Sequence, residues 1–273
     1  MHRALLHCLV LVSALLIGER ATAEASLFIY PTLVTFDDNR TSAEVTIANR
    51  GDEVGTFEIG FANMSMTAEG GLVMHEEPVD WSIQPFLRYS PRRATLPPGE
   101  SQVIRIALRR DDTVPEGEYY SHLRVLTINS AAVDGDDTGP SSEPGVSITA
   151  RSAIAIPVIW RNSRAAPAAT IDAVEPDADA NALTVDVTRH GLLSARGFVH
   201  VVAGGKPGDS DPIAEPMPLI LYPNIDHRSV SIPLPEGVAP NALPADTIVV
   251  YSADDTLTDT SVIYSQRSVM PQR

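Results

Sequence analysis

The sequence predicts an all-β chain built as two tandem immunoglobulin-like β-sandwiches. Three observations predict it. Short segments that alternate apolar and polar residues run from Ser26 almost to the C-terminus, punctuated by Pro, Gly, Asn and Asp. No segment carries the 3.6-residue spacing of an amphipathic helix. Roughly 250 residues remain once a leader is set aside, a length that suits two sandwich-sized domains better than one.

The leader comes first. Residues 1–3 (MHR) are a short positive segment, Ala4 to Gly18 is an apolar run, and Ala21-Thr22-Ala23 offers small residues at a cleavage site. Residues 1–23 are therefore read as a cleaved signal peptide, too short and too poorly flanked to span a membrane. The single cysteine, Cys8, lies inside that run, so the mature chain has none. An exported protein without disulfides fits the bacterial periplasm better than a cysteine-rich extracellular setting. Without Arg3, Glu19 and Arg20 the mature chain holds 18 basic and 34 acidic residues, and its only lysine is Lys206. So acidic a surface is a poor partner for nucleic acid or anionic lipid, and no second segment is apolar enough for membrane insertion.

The strands follow in order. LFIYPTLVTF (27–36) leads into SAEVTIAN (42–49), where Ala43, Val45 and Ile47 share one face. In VGTFEIGFANM (54–64), Phe57, Ile59 and Phe61 alternate. GGLVMHEEPVDWSIQPF (70–86) is looser and reads as an edge strand and a crossing between sheets. After the Pro-Pro-Gly turn at 97–99, SQVIRIALRR places Ile104, Ile106 and Leu108 together. EYYSHLRVLTI (118–128) and VSITARSAIAIPVIW (146–160) complete about seven strands, the number of a constant-type immunoglobulin sandwich. Between the last two lies a polar, acidic stretch, 129–145, of loop composition. The Ala/Pro-rich connector 161–170 divides a first domain (24–162) from a smaller second one (163–273). The second domain is read from ALTVDVTR, RGFVHVVAG, PLILYPN, RSVSIPLP, TIVVYSA and SVIYSQR.

Motifs that carry chemistry are absent from this pattern. His75-Glu76-Glu77 lacks the second histidine of a zinc-protease helix. The acidic loop counted from Asp134 puts Gly145 where a calcium loop needs a glutamate. No nucleophile elbow, phosphate loop or dinucleotide fingerprint occurs. No catalysis, no cofactor and no metal are expected.

The order of motifs resembles the periplasmic chaperones of chaperone–usher pilus assembly, the PapD-like superfamily. The resemblance rests on SAEVTIANRGDE, on PRRATLPPGESQVIRIALRR, on PEGEYYSHLRV, and on a loop followed by a strand ending in Trp160-Arg161; LYPNIDHRSVSIPLP matches the smaller domain. It implies a non-enzymatic chaperone whose partners are pilin-type subunits lacking a final strand, and an outer-membrane usher. The last strand of the first domain would complete the subunit by donor-strand complementation. Val146, Ile148, Ala150, Ile154 and Ile156 are the expected donor-strand residues, falling with Val158 on one face. Burying four bulky aliphatics contributes on the order of 6–12 kcal/mol before ordering costs. The other reading of the same alternation is that these side chains pack into their own sandwich.

The resemblance also implies an interdomain charge network of Glu118, Arg161 and Asp254, with Asp255 as the neighbouring choice; guanidinium suits a site between two carboxylates. One departure stands out. The family's two basic anchors for a subunit's carboxylate align with Leu33 and Pro157. Arg151 and Arg161 are the cations offered in their place. A two-domain immunoglobulin-like structural or adhesive protein of the envelope is the alternative to a chaperone.

Overall fold

A computed structural model describes residues 26–128, 152–204, 211–258 and 260–269. The expected signal peptide, Val146, Ile148, Ala150 and Arg151 lie outside the described residues. The chain is all-β, as two tandem sandwiches.

The first is formed by ten strands, β1 (Leu27–Tyr30), β2 (Val34–Phe36), β3 (Ser42–Asn49), β4 (Gly55–Met66), β5 (Leu72–His75), β6 (Leu87–Ser90), β7 (Arg93–Leu96), β8 (Ser101–Leu108), β9 (Gly117–Thr127) and β10 (Ala153–Asn162). One sheet has the order β1-β3-β8-β6; the other has β2-β10-β9-β4-β5, with β7 also paired to β4. The count exceeds the seven expected for two reasons. Segment 27–36 breaks at Pro31, whose missing N–H ends the pairing of β1 with β3, and the chain crosses to join β10 as β2. The loose stretch after Gly71 yields the edge strand β5, a 3-10 turn at Gln84–Phe86, then β6 and β7.

Alternation decides what fills the space between these sheets. Val45, Ile47, Phe57, Ile59, Ile104, Ile106, Leu123 and Val125 are buried there, and Trp160 joins them from β10. Asn49, where β3 ends, is also fully buried. Its side-chain amide donates to the Leu96 and Glu53 carbonyls, and its own carbonyl accepts from Gly99 of the Pro-Pro-Gly turn. A buried polar side chain is tolerated here because its bonds close the turns around it.

The second sandwich holds β11 (Ala168–Asp177), β12 (Ala182–His190), β13 (Ala195–Ala203), β14 (Asp211–Pro212), β15 (Met217–Leu221), β16 (His227–Pro233), β17 (Ile248–Ser252) and β18 (Ile263–Ser268). A three-stranded sheet, β11-β12-β16, faces β14-β13-β17-β18, with β15 also paired to β13 along Ala195 to Val199. Leu183, Val185, Val187, Val199, Val201, Leu219 and Tyr251 form its core. β11 was not expected from the sequence. A bulge between Ile171 and Ala173 breaks its period of two, so its alternation is lost halfway along. The connector between the sandwiches is correspondingly shorter, five residues from Ser163 to Pro167. Among the described residues no helix is long and apolar enough to cross a membrane.

Candidate functional site: an open strand edge beside the domain joint

β10 is where the sheet of the first sandwich is incomplete. β9 pairs with it along its whole length, Ala153↔Leu126 to Asn162↔Gly117. On its other side β2 runs parallel and meets only Val158, Ile159 and Trp160. From Ala153 to Pro157 the outer edge has no partner among the described residues.

The hydrogen-bond phase tells which groups face outward. Thr127 N–H donates to Ser152 C=O at 2.9 Å, in register with the β9–β10 ladder. Because antiparallel pairs alternate, Ile154 and Ile156 direct their backbone groups at β9. Ala153 and Ala155 direct N–H and C=O to the open edge, and Pro157 presents a carbonyl but no N–H. Pro157 is therefore tolerated, since only its outward side lacks a donor.

The side chains of β10 divide along its length. Ile156 is 3% exposed and lies in the core of its own sandwich with Val158 and Trp160. Ile154 is partly buried at the rim of that core. On the outer face, Arg124 of β9 stands directly between Ala155 of β10 and Gly60 of β4. It is half-buried and has no hydrogen-bond or ion-pair partner among the described residues. A Cβ added at Gly60 would meet nothing within 4 Å, so the space beside the guanidinium is open. Leu33 is 40% exposed between β1 and β2.

The same sheet meets the second sandwich beyond Arg124. Met66, Tyr120 and Ile159 pack against Tyr222, with Trp81, Ile220 and Ile225 around them. Tyr120 stacks on Trp81 at 4.5 Å and meets Tyr222 edge-on at 5.0 Å. His122 Nε2 lies 2.9 Å from the Tyr222 hydroxyl. Asn224 holds the end of β4 by both backbone groups: Met66 N–H donates to its Oδ1 and its Nδ2 donates to Met66 C=O. Burial, with the nearby Arg196 charge, pushes His122 down to about 4, and burial raises the Tyr120 phenol.

Of the expected charge network, Glu118 and Arg161 come together, Nε to Oε2 at 3.4 Å. Asp254 forms no ion pair or hydrogen bond with either of them. Its carboxylate accepts from Val262 N–H in the turn after β17, and its carbonyl accepts from Ser252. The group that reaches Glu118 from the second sandwich is Ser194, whose N–H and hydroxyl both donate to Oε2, at 3.2 and 2.9 Å. Ser194 in turn accepts from Arg196 Nε at 3.1 Å. Sequence reasoning missed these residues, because a serine in a turn has no signature until its partner strand is known.

Arg189, also missed, supports the joint from behind. Its buried guanidinium donates to the carbonyls of Gly191, Leu193, Pro223 and Ile225 and to the Asp226 carboxylate. It thereby ties the loop carrying Ser194 to the loop carrying Tyr222 and Asn224. The sole available signal was an arginine at an inward position of the alternating strand ALTVDVTR, in phase with Leu183, Val185 and Val187.

Besides His122–Tyr222, three imidazoles pair with a serine or threonine hydroxyl among the described residues, Ser65–His75, Thr170–His190 and Ser252–His200. None has a carboxylate bonded to the imidazole among the described residues, so none is arranged as a nucleophile with an oriented base. No group of three or more His, Cys, Asp or Glu side chains that could hold a metal is found among the described residues.

No family model and no curated protein matches the chain. It is similar to solved structures at low identity. One is the CsuC–CsuE chaperone–tip adhesion subunit pre-assembly complex from archaic chaperone–usher Csu pili of Acinetobacter baumannii, at 14% identity and a TM-score of 0.47, covering 88% of this chain and 99% of that one. The Escherichia coli chaperone DraB is 14% identical, with a TM-score of 0.46 and coverage of 91% and 97%. The complex of Salmonella enterica SafA pilin with the SafB chaperone is 13% identical, with a TM-score of 0.46 and coverage of 91% and 98%.

Proposed function

We propose that the chain is a periplasmic chaperone of pilus assembly that completes a pilin-type subunit through β10. The observation that supports the reading is the open edge at Ala153 to Pro157, in the strand that the sequence resemblance assigns to the client. Added backbone bonds at Ala153 and Ala155 supply affinity, and side chains at every second position supply specificity. Ile156 and Val158 anchor the strand to its own sandwich. Ile154 at the rim, continuing to Ala150, Ile148 and Val146, is then the part offered to the client. Arg124, directly beside Ala155, provides on this face the positive charge that Leu33 and Pro157 do not. Delivery to an outer-membrane usher completes the proposed role.

The alternative of an immunoglobulin-like envelope protein without clients has one observation in its favour, the burial of Ile156 in its own core. Co-expression with a pilin-type subunit lacking its final strand separates the two. The chaperone reading expects a stable complex, weakened at least tenfold by Ile154→Asp and by Ala155→Pro, which removes an outward N–H and leaves the β9 ladder intact. A complex indifferent to both substitutions excludes β10 as the donor strand.

A further inference from the structure

The opposite edge of the same sheet carries a second unpaired strand. Among the described residues β5 pairs with β4 alone, Asn63↔His75 to Met66↔Leu72. Thr67 N–H donates to Gly71 C=O one step beyond that ladder. Val73 and His75 therefore bond inward to β4, while Leu72 and Met74 turn two N–H and two C=O groups outward. Met66 is in phase with this: its backbone faces away from β5, where Asn224 takes it.

The side chains are as unusual as the backbone. Leu72, Val73 and Met74 are consecutive, apolar, and 47%, 49% and 52% exposed. Natural edges are ordinarily blunted by shortness, lysine, proline or a bulge; β5 is short, at four residues, but carries none of the other three. Around the strand stand Glu69, Glu76, Glu77 and Asp80, all exposed and none in an ion pair among the described residues. A cavity of about 560 Å³ opens beside its C-terminal end, lined by Met74, His75, Glu76, Glu77 and Arg124 among others. The Arg228 guanidinium, beside the N-terminal turn, is bonded to the Ile220 and Glu69 carbonyls.

We infer that β5 is a docking edge for an extended segment of a partner protein with alternating apolar residues and lysine or arginine at both flanks. Backbone pairing at Leu72 and Met74 gives register, Leu72 to Met74 give apolar contact, and the carboxylates at both ends select basic flanks. Charge argues against a second copy of this chain. Two β5 strands paired about a twofold axis would set Glu69 of one against Glu76 and Glu77 of the other. The inference does not depend on the chaperone reading, because β5 and β10 lie on opposite edges of the sheet.

The test uses the full mature chain and two synthetic peptides, each a core of alternating valine and threonine, flanked by paired lysines in one and paired glutamates in the other. Fluorescence anisotropy at low salt is expected to show the lysine-flanked peptide binding roughly tenfold or more tightly. The advantage should shrink as salt approaches about 0.5 M. Met74→Pro, which removes an outward N–H, and Leu72→Ser/Met74→Ser, which leaves the backbone unchanged, should each abolish binding, whereas Ala155→Pro should leave it intact. Equal affinity for the two peptides overturns the inference, as does binding that survives both β5 variants. Self-association of the chain that Leu72→Ser/Met74→Ser abolishes would assign the edge to a second copy and overturn it as well.

Discussion

Ser194 donates both its backbone N–H and its hydroxyl to one carboxylate oxygen of Glu118, joining the second sandwich to the strand that pairs with β10. Glu118 is buried; its Oε2 accepts from Ser194 and Arg161 while its Oε1 has no partner among the described residues, so these bonds offset only part of the cost of removing a carboxylate from water. Ser194→Ala and Glu118→Gln should each destabilise the chain by about 2 kcal/mol in urea unfolding. The double variant should fall short of the sum, since the two residues share one interaction. Asp254→Asn, whose carboxylate bonds only a turn N–H among the described contacts, should stay within about 0.5 kcal/mol.

Arg189 is the residue on which the joint loops depend. Replacing it with methionine keeps much of the volume but leaves four carbonyls without their donor. The expected loss is about 3 kcal/mol or more, with the thermal midpoint lowered by roughly 6–12 °C. Tyr222 and Asn224 should lose their contacts with the first sandwich. A parallel increase in amide exchange at Met66, read by mass spectrometry, checks that the damage reaches the joint.

His122 makes the chain sensitive to mild acid. Its imidazole is held near 4 in the fold, mainly by burial, against an ordinary value of 6.5. The neutral form is therefore the folded one. Stability from this group is complete above pH 6.5 and declines as pH falls towards 4, because only the unfolded chain takes up the proton in that window. The full loss is about 3 kcal/mol. Thermal melts from pH 7 to pH 4 should show this slope, and His122→Gln should flatten it.

Gly197 and Gly60 should respond oppositely to alanine. A Cβ at Gly197 would sit 1.8 Å from the Ser252 carbonyl oxygen, a backbone atom of the neighbouring strand, so β13 and β17 must move apart. Gly197→Ala should cost about 3 kcal/mol or more and prevent normal expression of the folded chain. At Gly60 the space is open, and Gly60→Ala should be neutral within about 0.5 kcal/mol in stability.

The parts of the fold that were legible in the sequence are those where one face is buried and the other wet. Ala43, Val45 and Ile47, or Ile104, Ile106 and Leu108, declare a strand and its inner face at once, and all six are buried. β11 was illegible because its bulge shifts the inner face midway. The split of 27–36 was hidden because the run stays largely apolar across Pro31, while the buried positions shift phase from Ile29 to Val34 and Phe36 and the pairing partner changes from β3 to β10. Glu118 and Arg161 were nameable only through the family resemblance; the structure sets them opposite each other on adjoining strands. Ser194 was not, since the turn that carries it meets Glu118 across 76 residues of sequence.

The chain by itself determined the class of the molecule: period-two patterning and turn residues are local properties, and they dictate two sandwiches whatever else touches them. Which backbone edges remain unpaired is a different matter. That, among the described residues, the outer edge of β10 is covered only from Val158 onward and β5 on one side alone depends on where β2 and β4 end in space. Hydrogen bonding between strands is satisfied by neighbours distant in sequence, so a free edge is visible only when the sheet is complete.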